Sequence, residues 1–283
     1  METKPKELVV ISGKGGTGKT SIVASFAALA DKAVLADCDV DAADLHLVLE
    51  PKTVRRESFS GGKRARIISD QCTGCGKCGD VCQYSAIVCI NKKVLTFPEL
   101  CHGCGGCMLL CPEKAIIEVP RDIGVVEEGD SNGVSFVHGL LEVGEAMSPP
   151  LIRAVKARAS ADGVTIFDAP PGTSCPVIES VKDSDFVMLV TEPTPFGLND
   201  LKLAVEMVRK LGLPFGVVIN RSDVGDDGVV RYCEKEGIAI LLEIPDDRRI
   251  AEGYSRGEMA VEIVPELRAS LRSLFESLQE RTS

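Results

Sequence analysis

The sequence predicts a three-layer α/β protein, with helices on both faces of a mostly parallel sheet and a small α+β module inserted into the chain. Three observations carry the prediction. Short runs of continuous apolar and β-branched residues recur along the chain, as strands covered on both faces require. Helical patterns lie between those runs. From about Gly61 to Pro120 this rhythm stops, and the stretch holds nine of the twelve cysteines. With 283 residues, 45% apolar and 26% charged, the chain can bury a core without disulfide staples.

Leu8–Ser12 (LVVIS) reads as the first strand, followed by a glycine loop and by TSIVASFAALA, which has helical periodicity. Ala33–Ala36 reads as the next strand and ends at Asp37. VTIFDAPPG, after Gly163, repeats the pattern of a buried strand ending in an acid and a turn. Phe186–Val190 and Phe215–Asn220 are two more strands of this kind. Between them, Gly197–Gly212 reads as a helix with Leu201, Ala204, Val205 and Val208 on its apolar face. Ser148 is expected to cap a further helix, with Pro149 and Pro150 in its opening turn. At the C-terminal end Leu267, Leu271, Leu274 and Leu278 fall on one helical face, expected to pack on the domain. SGGKRAR and VPRDIG are charged or glycine-rich, as at a domain junction. The expected organisation is therefore 1–62, a module over 63–119, and a return over 120–283.

GKGGTGKT satisfies G-x-x-x-x-G-K-[ST], with a strand before it and a helix after it. Glycines let the backbone curl so that its N–H groups converge on phosphate oxygens at a helix N-terminus. Gly13, Gly15, Gly16, Thr17, Gly18, Lys19, Thr20 and Ser21 are the candidate nucleotide-binding residues. Lys19 is expected at the β- and γ-phosphates of ATP, and the Thr20 hydroxyl on Mg²⁺.

Lys14 adds a second lysine, and KGGTGKT resembles the deviant Walker A loop of the MinD/ParA/Mrp and nitrogenase iron-protein superfamily. That resemblance implies a P-loop ATPase whose early lysine reaches across a dimer interface to the partner's nucleotide. LADCDVDAADLHL resembles the family's first switch, which puts Asp39 where the attacking water is oriented, with Asp37 nearby. FDAPPGT resembles the Walker B segment and second switch, so that Asp168 would hold Mg²⁺ through water. VVINR places Asn220 where the family contacts adenine, and EIPDDRRIAEGYSRG resembles the following loop that borders the base, with Pro245 and Asp246 next to it. Asp44 reads as a helix cap. The segment EVGEAMSPPLIRAVK resembles an element of MinD-like ATPases that carry an inserted ferredoxin domain.

Cys72, Cys75, Cys78 and Cys82 are spaced C-x2-C-x2-C-x3-C, and Cys101, Cys104, Cys107 and Cys111 repeat the spacing, with Pro112 following. This is the run of bacterial ferredoxins, in which the fourth cysteine ligates the other cluster. The resemblance implies one [4Fe–4S] cluster on Cys72, Cys75, Cys78 and Cys111, and a second on Cys101, Cys104, Cys107 and Cys82. Zinc ribbons instead use paired C-x2-C knuckles. Gln83 departs from the proline expected after the first run. Cys89 is expected in the core of a small hairpin, and His102 is off spacing and non-ligating. Cys175 lies seven residues after Asp168, a spacing resembling that of a cluster ligand in the nitrogenase iron protein. A buried structural cysteine is the preferred reading.

METKPKELVVISG runs straight into a strand, with no leader, so a cytoplasmic setting and metal-binding cysteines are expected. A net charge of −10 speaks against a nucleic-acid surface. No apolar run is long enough to span a bilayer, and the mixed charges of the C-terminal helix speak against membrane docking. The resemblance covers the whole chain and implies a homodimer or a heterodimer with a sister ATPase. The expected function is an ATPase whose nucleotide-driven closure is coupled to electron transfer through two [4Fe–4S] clusters toward a redox or metallocluster protein. The alternatives are an Mrp-like carrier or assembly factor for iron–sulfur or heterometal clusters, and a MinD/ParA-like spatial organiser.

Overall fold

The computed structural model describes residues 6–29, 33–145, 147–159 and 163–281; the opening METKP, read above as leaderless, lies outside them. In chain order the first elements are β1 (Lys6–Ser12), α1 (Lys19–Ala27), β2 (Val34–Asp37), α2 (Leu45–Leu49) and β3 (Lys52–Ile67). The cysteine-rich stretch follows, with α3 (Lys77–Val81), β4 (Ile87–Ile90), β5 (Lys93–Thr96) and α4 (Gly106–Leu110). The chain returns through β6 (Ile116–Ser131), β7 (Val134–Leu141), α5 (Pro149–Arg158), β8 (Val164–Asp168), α6 (Cys175–Val181) and β9 (Phe186–Thr191). It finishes with α7 (Pro195–Leu211), β10 (Phe215–Asn220), α8 (Gly228–Glu236), β11 (Ile240–Ile244), α9 (Arg248–Tyr254), α10 (Ala260–Ile263) and α11 (Pro265–Arg281). Two compact units result. The larger comprises Met1–Glu57, Val126–Leu140 and Ile152–Ser283; the smaller comprises Ser58–Val125 and Leu141–Leu151.

Among the described residues nine strands form one sheet in the order β11-β10-β9-β1-β8-β2-β7-β6-β3. From β11 to β7 each neighbouring pair is parallel. The apolar runs explain this: Leu8–Ile11, Val164–Asp168 and Phe186–Val190 are buried on both faces, as strands between two helical layers must be. The register sets Asp37 opposite Asp168, and Val10 opposite Asp168 on the other side. Two acids therefore stand at the carboxyl end of the sheet beside the loop that leaves β1, where α/β sheets bind ligands.

Helix α7 buries Leu201, Ala204, Val205 and Val208, as its periodicity predicts. Thr194 caps it by accepting the Gly197 N–H at 3.0 Å, and Gly212 ends it at φ 69°. Helix α5 begins at Pro149, directly after Ser148, whose carbonyl accepts the Leu151 N–H at 3.0 Å. The stripe Leu267, Leu271, Leu274 and Leu278 of α11 is buried in the main core, where Phe275 meets Phe26 with ring centroids 5.5 Å apart. Among the described residues no helix is long and apolar enough to cross a membrane.

The presumed junctions turn out to be strand interior. SGGKRAR lies within β3 and VPRDIG within β6, each strand 16 residues long. Arg56 pairs with Glu127 at 2.5 Å, and Lys63 with Glu118 at 3.3 Å, so later residues of β3 face earlier ones of β6. β3 carries seven Lys, Arg or Glu among its 16 residues and alternates in apolar residues only at its end, Ala65 and Ile67, so period-2 reasoning finds little to detect. β6 and β7 are joined by Asn132-Gly133, with both residues left-handed (φ 52° and 87°), the tight hairpin turn.

Inside the smaller unit, the turns, cysteine spacing and short helix between residues 69 and 85 recur 29 positions later, by subtraction of residue numbers. Short 3₁₀ turns at Ser69–Gln71 and Pro98–Leu100 precede the two cysteine runs. Gly76 and Gly105, both left-handed, start α3 and α4. Ser85 and Lys114 are left-handed after the fourth cysteines. The halves interlock: the Ile68 N–H donates to the Ala115 carbonyl at 2.7 Å, and the Phe97 N–H to the Ala86 carbonyl at 2.8 Å. β4 and β5 form an antiparallel hairpin, as expected, but Cys89 is half-buried rather than in its core. Its thiol lies against the first ligand loop and donates to the Gly74 carbonyl at 3.5 Å.

Candidate functional site

The loop between β1 and α1 and the acids of β2 and β8 meet in the larger unit. Gly18 is left-handed (φ 85°), starts α1, and sits so close to the Asn220 amide that a side chain there would collide with it. Asn220 Nδ2 donates to the Thr17 carbonyl at 2.8 Å, and Ser12 Oγ to the Lys14 carbonyl at 2.8 Å, which hold the loop open around its centre. Beta-carbons at Gly15 or Gly16 would meet nothing within 4 Å, so this face of the backbone is free to take a ligand.

Lys19 Nζ donates to Asp168 Oδ1, and Thr20 Oγ1 donates to Asp168 Oδ2 at 2.9 Å. Asp168 and Asp37 are fully buried. Burial, reinforced by Asp168, raises the Asp37 carboxyl well above its ordinary range, although its oxygens accept the N–H groups of Asp39 (2.9 Å) and Leu45 (3.2 Å). Burial also raises Asp168, with Lys19 and Thr20 opposing the shift. Burial would by itself lower the Lys19 ammonium, but Asp168 outweighs it and the net shift is upward. Asp39 is pushed up to about 6, chiefly by burial and by the neighbouring acids Asp168, Asp44 and Asp41, against the pull of Lys19. A carboxyl titrating there suits a proton acceptor near neutral pH.

A cavity of about 480 Å³ opens over the loop, a size suited to a small-molecule ligand. Gly15, Gly16, Gly18, Lys19, Thr20, Ser21, Asp39, Asn220, Pro245 and Asp246 line it. Of the other sequence candidates, Gly13 packs on Asp200, Thr17 is buried with its hydroxyl unpartnered among the described residues, and Asp168 is fully buried. Lys14 points to Glu192, which it reaches at 2.9 Å. Glu192 is nine-tenths buried and also accepts from Arg221 Nη1 at 2.8 Å. Glu192 belongs to no motif, and only the fold brings it beside Lys14 and Arg221. Sequence reasoning also passed over Tyr254, a cavity-lining side chain whose hydroxyl donates to Asp44 Oδ2 at 3.2 Å. That bond corrects the reading of Asp44 as a cap: it occupies the N-cap position of α2, but its side chain caps no helix N–H.

Cys175 is corrected too. It is exposed, not buried, because it is the first residue of α6, where the chain has just left the sheet through PPGTS.

The smaller unit holds two hollows. One is lined by Cys72, Cys75, Cys78 and Cys111, the other by Cys82, Cys101, Cys104 and Cys107. Each thus draws three cysteines from one run and the fourth from the other. Gly74 and Gly103, left-handed at φ 68° and 62°, turn the two loops where a side chain would strike the backbone of Lys92 or Lys63. His102 stacks on Tyr84 (centroids 3.8 Å, planes 18° apart), and both line the second hollow. Arg121 Nη1 donates to the Cys101 carbonyl at 2.6 Å and its Nη2 pairs with the largely covered Glu145 carboxylate at 2.5 Å, tying a ligand loop to the segment before α5. Among the described residues, no three His, Cys, Asp or Glu side chains converge to hold a single metal ion.

A parallel sheet with a glycine loop between its central strand and the first helix, and with buried acids on the flanking strands, defines a P-loop NTPase of the three-layer α/β class. Within that class the chain belongs to the CobQ/CobB/MinD/ParA nucleotide-binding domain family, whose profile matches residues 8–261. A Methanocaldococcus jannaschii protein, MJ0578, is 35% identical over 285 residues, covering 97% of this chain and 96% of its own length. The iron–sulfur cluster carrier protein of Pyrococcus horikoshii is 32% identical over 108 residues, 32% of this chain and 36% of that protein. The septum site-determining protein MinD of P. horikoshii, solved with Mg-ADP, superposes with a TM-score of 0.58 at 20% identity, covering 97% of this chain and 96% of that one.

Proposed function

We propose that the protein is a Mg²⁺-dependent ATPase that closes as a dimer on nucleotide, with an inserted domain that holds two [4Fe–4S] clusters and couples nucleotide state to electron transfer. The observation that carries this reading is the sorting of eight cysteines into two hollows, four to each, across both repeats, in a chain with a complete phosphate loop. Four thiols per hollow with left-handed glycines between them suit a cubane. Thr20 and Asp168 offer hard oxygens, the donors Mg²⁺ prefers. When bound, the clusters would take up and release single electrons.

The chain's own groups have definable tasks. The backbone of Gly15 to Gly18 receives the phosphates, and Lys19 exchanges Asp168 for the β- and γ-oxygens. Asp168 and Thr20 hold the Mg²⁺ shell, and Asp39 orients water and accepts its proton. Lys14 leaves Glu192 to supply charge to the partner's nucleotide. The partner is a second copy or a sister ATPase.

Anaerobically purified protein should contain about eight iron atoms per chain. Its reduced EPR spectrum should change on adding MgATP, and hydrolysis should vanish in Lys19→Ala. An EPR spectrum indifferent to nucleotide would sink the coupling. The likeness to iron–sulfur cluster carrier proteins favours one second reading, in which the chain delivers clusters. Rapid transfer of its iron to an apo-ferredoxin would select that reading instead.

A further inference from the structure

We propose that the two hollows are electrically unequal and that Glu118 sets the difference, so that the cluster on Cys72, Cys75, Cys78 and Cys111 is reduced more readily than the one on Cys82, Cys101, Cys104 and Cys107. The proposal rests on the cluster reading above. The repeat supplies its internal control. Positions 89 and 118 are equivalent by the 29-residue offset, and each faces the glycine that opens its helix. A beta-carbon at Gly76 would lie 4.0 Å from Cys89 Sγ; one at Gly105 would lie 3.4 Å from Glu118 Oε1. One ligand loop is thus backed by a neutral thiol and the other by a carboxylate.

The rest of the lining sharpens the contrast. Among the described residues Glu118 and His102 are the acidic or basic side chains that line the second hollow. Arg121 reaches the same ligand loop from outside the lining, at the Cys101 carbonyl, and its charge is offset by its pair with Glu145 at 2.5 Å. Around the first, Lys77 and Glu113 carry opposite charges and offset one another. Lys63 neutralises Glu118 only in part. It meets the outer oxygen, Oε2, at 3.3 Å, is 65% exposed, and does not line the hollow, so water and salt screen it. An electron added to the second cluster therefore arrives beside a fixed negative charge, which disfavours reduction. An electron from an external low-potential one-electron donor comes to rest on the first cluster.

The test is a dye-mediated redox titration of the full chain, followed by EPR and visible absorption, with iron content measured in parallel. Wild type should show two one-electron waves. Glu118→Gln should move only the lower wave, upward by about tenfold in its reduction equilibrium, or ~59 mV. Lys63→Ala, an exposed change that cannot empty the hollow, should move the same wave downward. Two waves that ignore both substitutions, or that move together, overturn the proposal while leaving the clusters in place. Iron well below about eight atoms per wild-type chain overturns the cluster reading itself.

Discussion

Lys14 illustrates how a side chain can be ready for one partner while bound to another. Its ammonium is held by Glu192, a carboxylate shared with Arg221, and the same lysine is the group proposed to cross to a partner nucleotide. Glu192 is buried but the Lys14 end is more than a third exposed, so screening by water holds the pair to about 1 kcal/mol. Glu192→Gln should therefore lower the ATP concentration needed for dimerisation by up to about fivefold, read by sedimentation or light scattering. A higher requirement would show instead that Glu192 assists closure. His138 offers a second test. Burial lowers its imidazole pKa despite Glu127 at 3.1 Å, and among the described residues its Nδ1 has no hydrogen-bond partner. The unfolded chain accepts a proton near pH 6.5 that the folded one refuses, so stability should fall as pH drops below about 6.5. Urea midpoints of His138→Gln should fall less steeply over that window; an identical slope excludes His138 as the source. At this scale the positions of the phosphate loop and of the eight paired-run cysteines are legible in local spacing, and those of Asp39 and Asp168 through the resemblance of their segments to the family's switches. Glu192, Tyr254 and His138 are not, since only the fold brings them to their partners. Cys175 and Asp44 misled for the same reason: exposure and hydrogen-bond partner are tertiary facts.

Whether an element is legible depends on whether it is buried. The continuous apolar strands and α7 follow from sequence because both faces or one stripe must be covered. β3 and β6 do not, because a ribbon laced by charge pairs interrupts its few buried apolar residues with Lys, Arg and Glu and leaves little apolar period. α11 shows the same rule from the other side. Its leucine stripe could have served a membrane or a core, and burial of Leu271 in the main cluster decides for the core. Leu271→Ala should cost about 2–5 kcal/mol of unfolding free energy by urea titration; a loss under 1 kcal/mol would mean that the helix is not integral. The cysteine repeat makes a stricter prediction, because each hollow takes its fourth thiol from the other run. Cys82→Ser and Cys107→Ser lie on different repeats but should empty the same hollow, so the double variant should lose no more iron than either single. Cys78→Ser with Cys82→Ser, close neighbours around one helix, should empty both. Iron and sulfide assays distinguish this from hollows formed within each run.

On the scale of the whole molecule, the question is why a cluster-binding domain should sit inside a nucleotide-binding one. The chain leaves the larger unit after Asp39 and returns before Asp168, through β3 and β6, so the insertion lies between the two segments proposed to respond to the γ-phosphate. A nucleotide can bias electron transfer only through a difference between two states of the protein, and the dimer closure assigned to Lys14 is the state change available. Holding clusters and closing on ATP are then separable properties of one chain. Lys14→Ala should keep about eight irons and an unchanged EPR spectrum without nucleotide, because it lies outside the unit that contains the cysteines. It should stay monomeric in MgATP, and its spectrum should no longer respond to nucleotide. A variant that stays monomeric yet retains the response would place the coupling within a single subunit, in the segments around Asp39 and Asp168 themselves. Loss of iron on this one substitution would be harder to accommodate: cluster binding would then depend on the phosphate loop, and the two units could not be functionally modular.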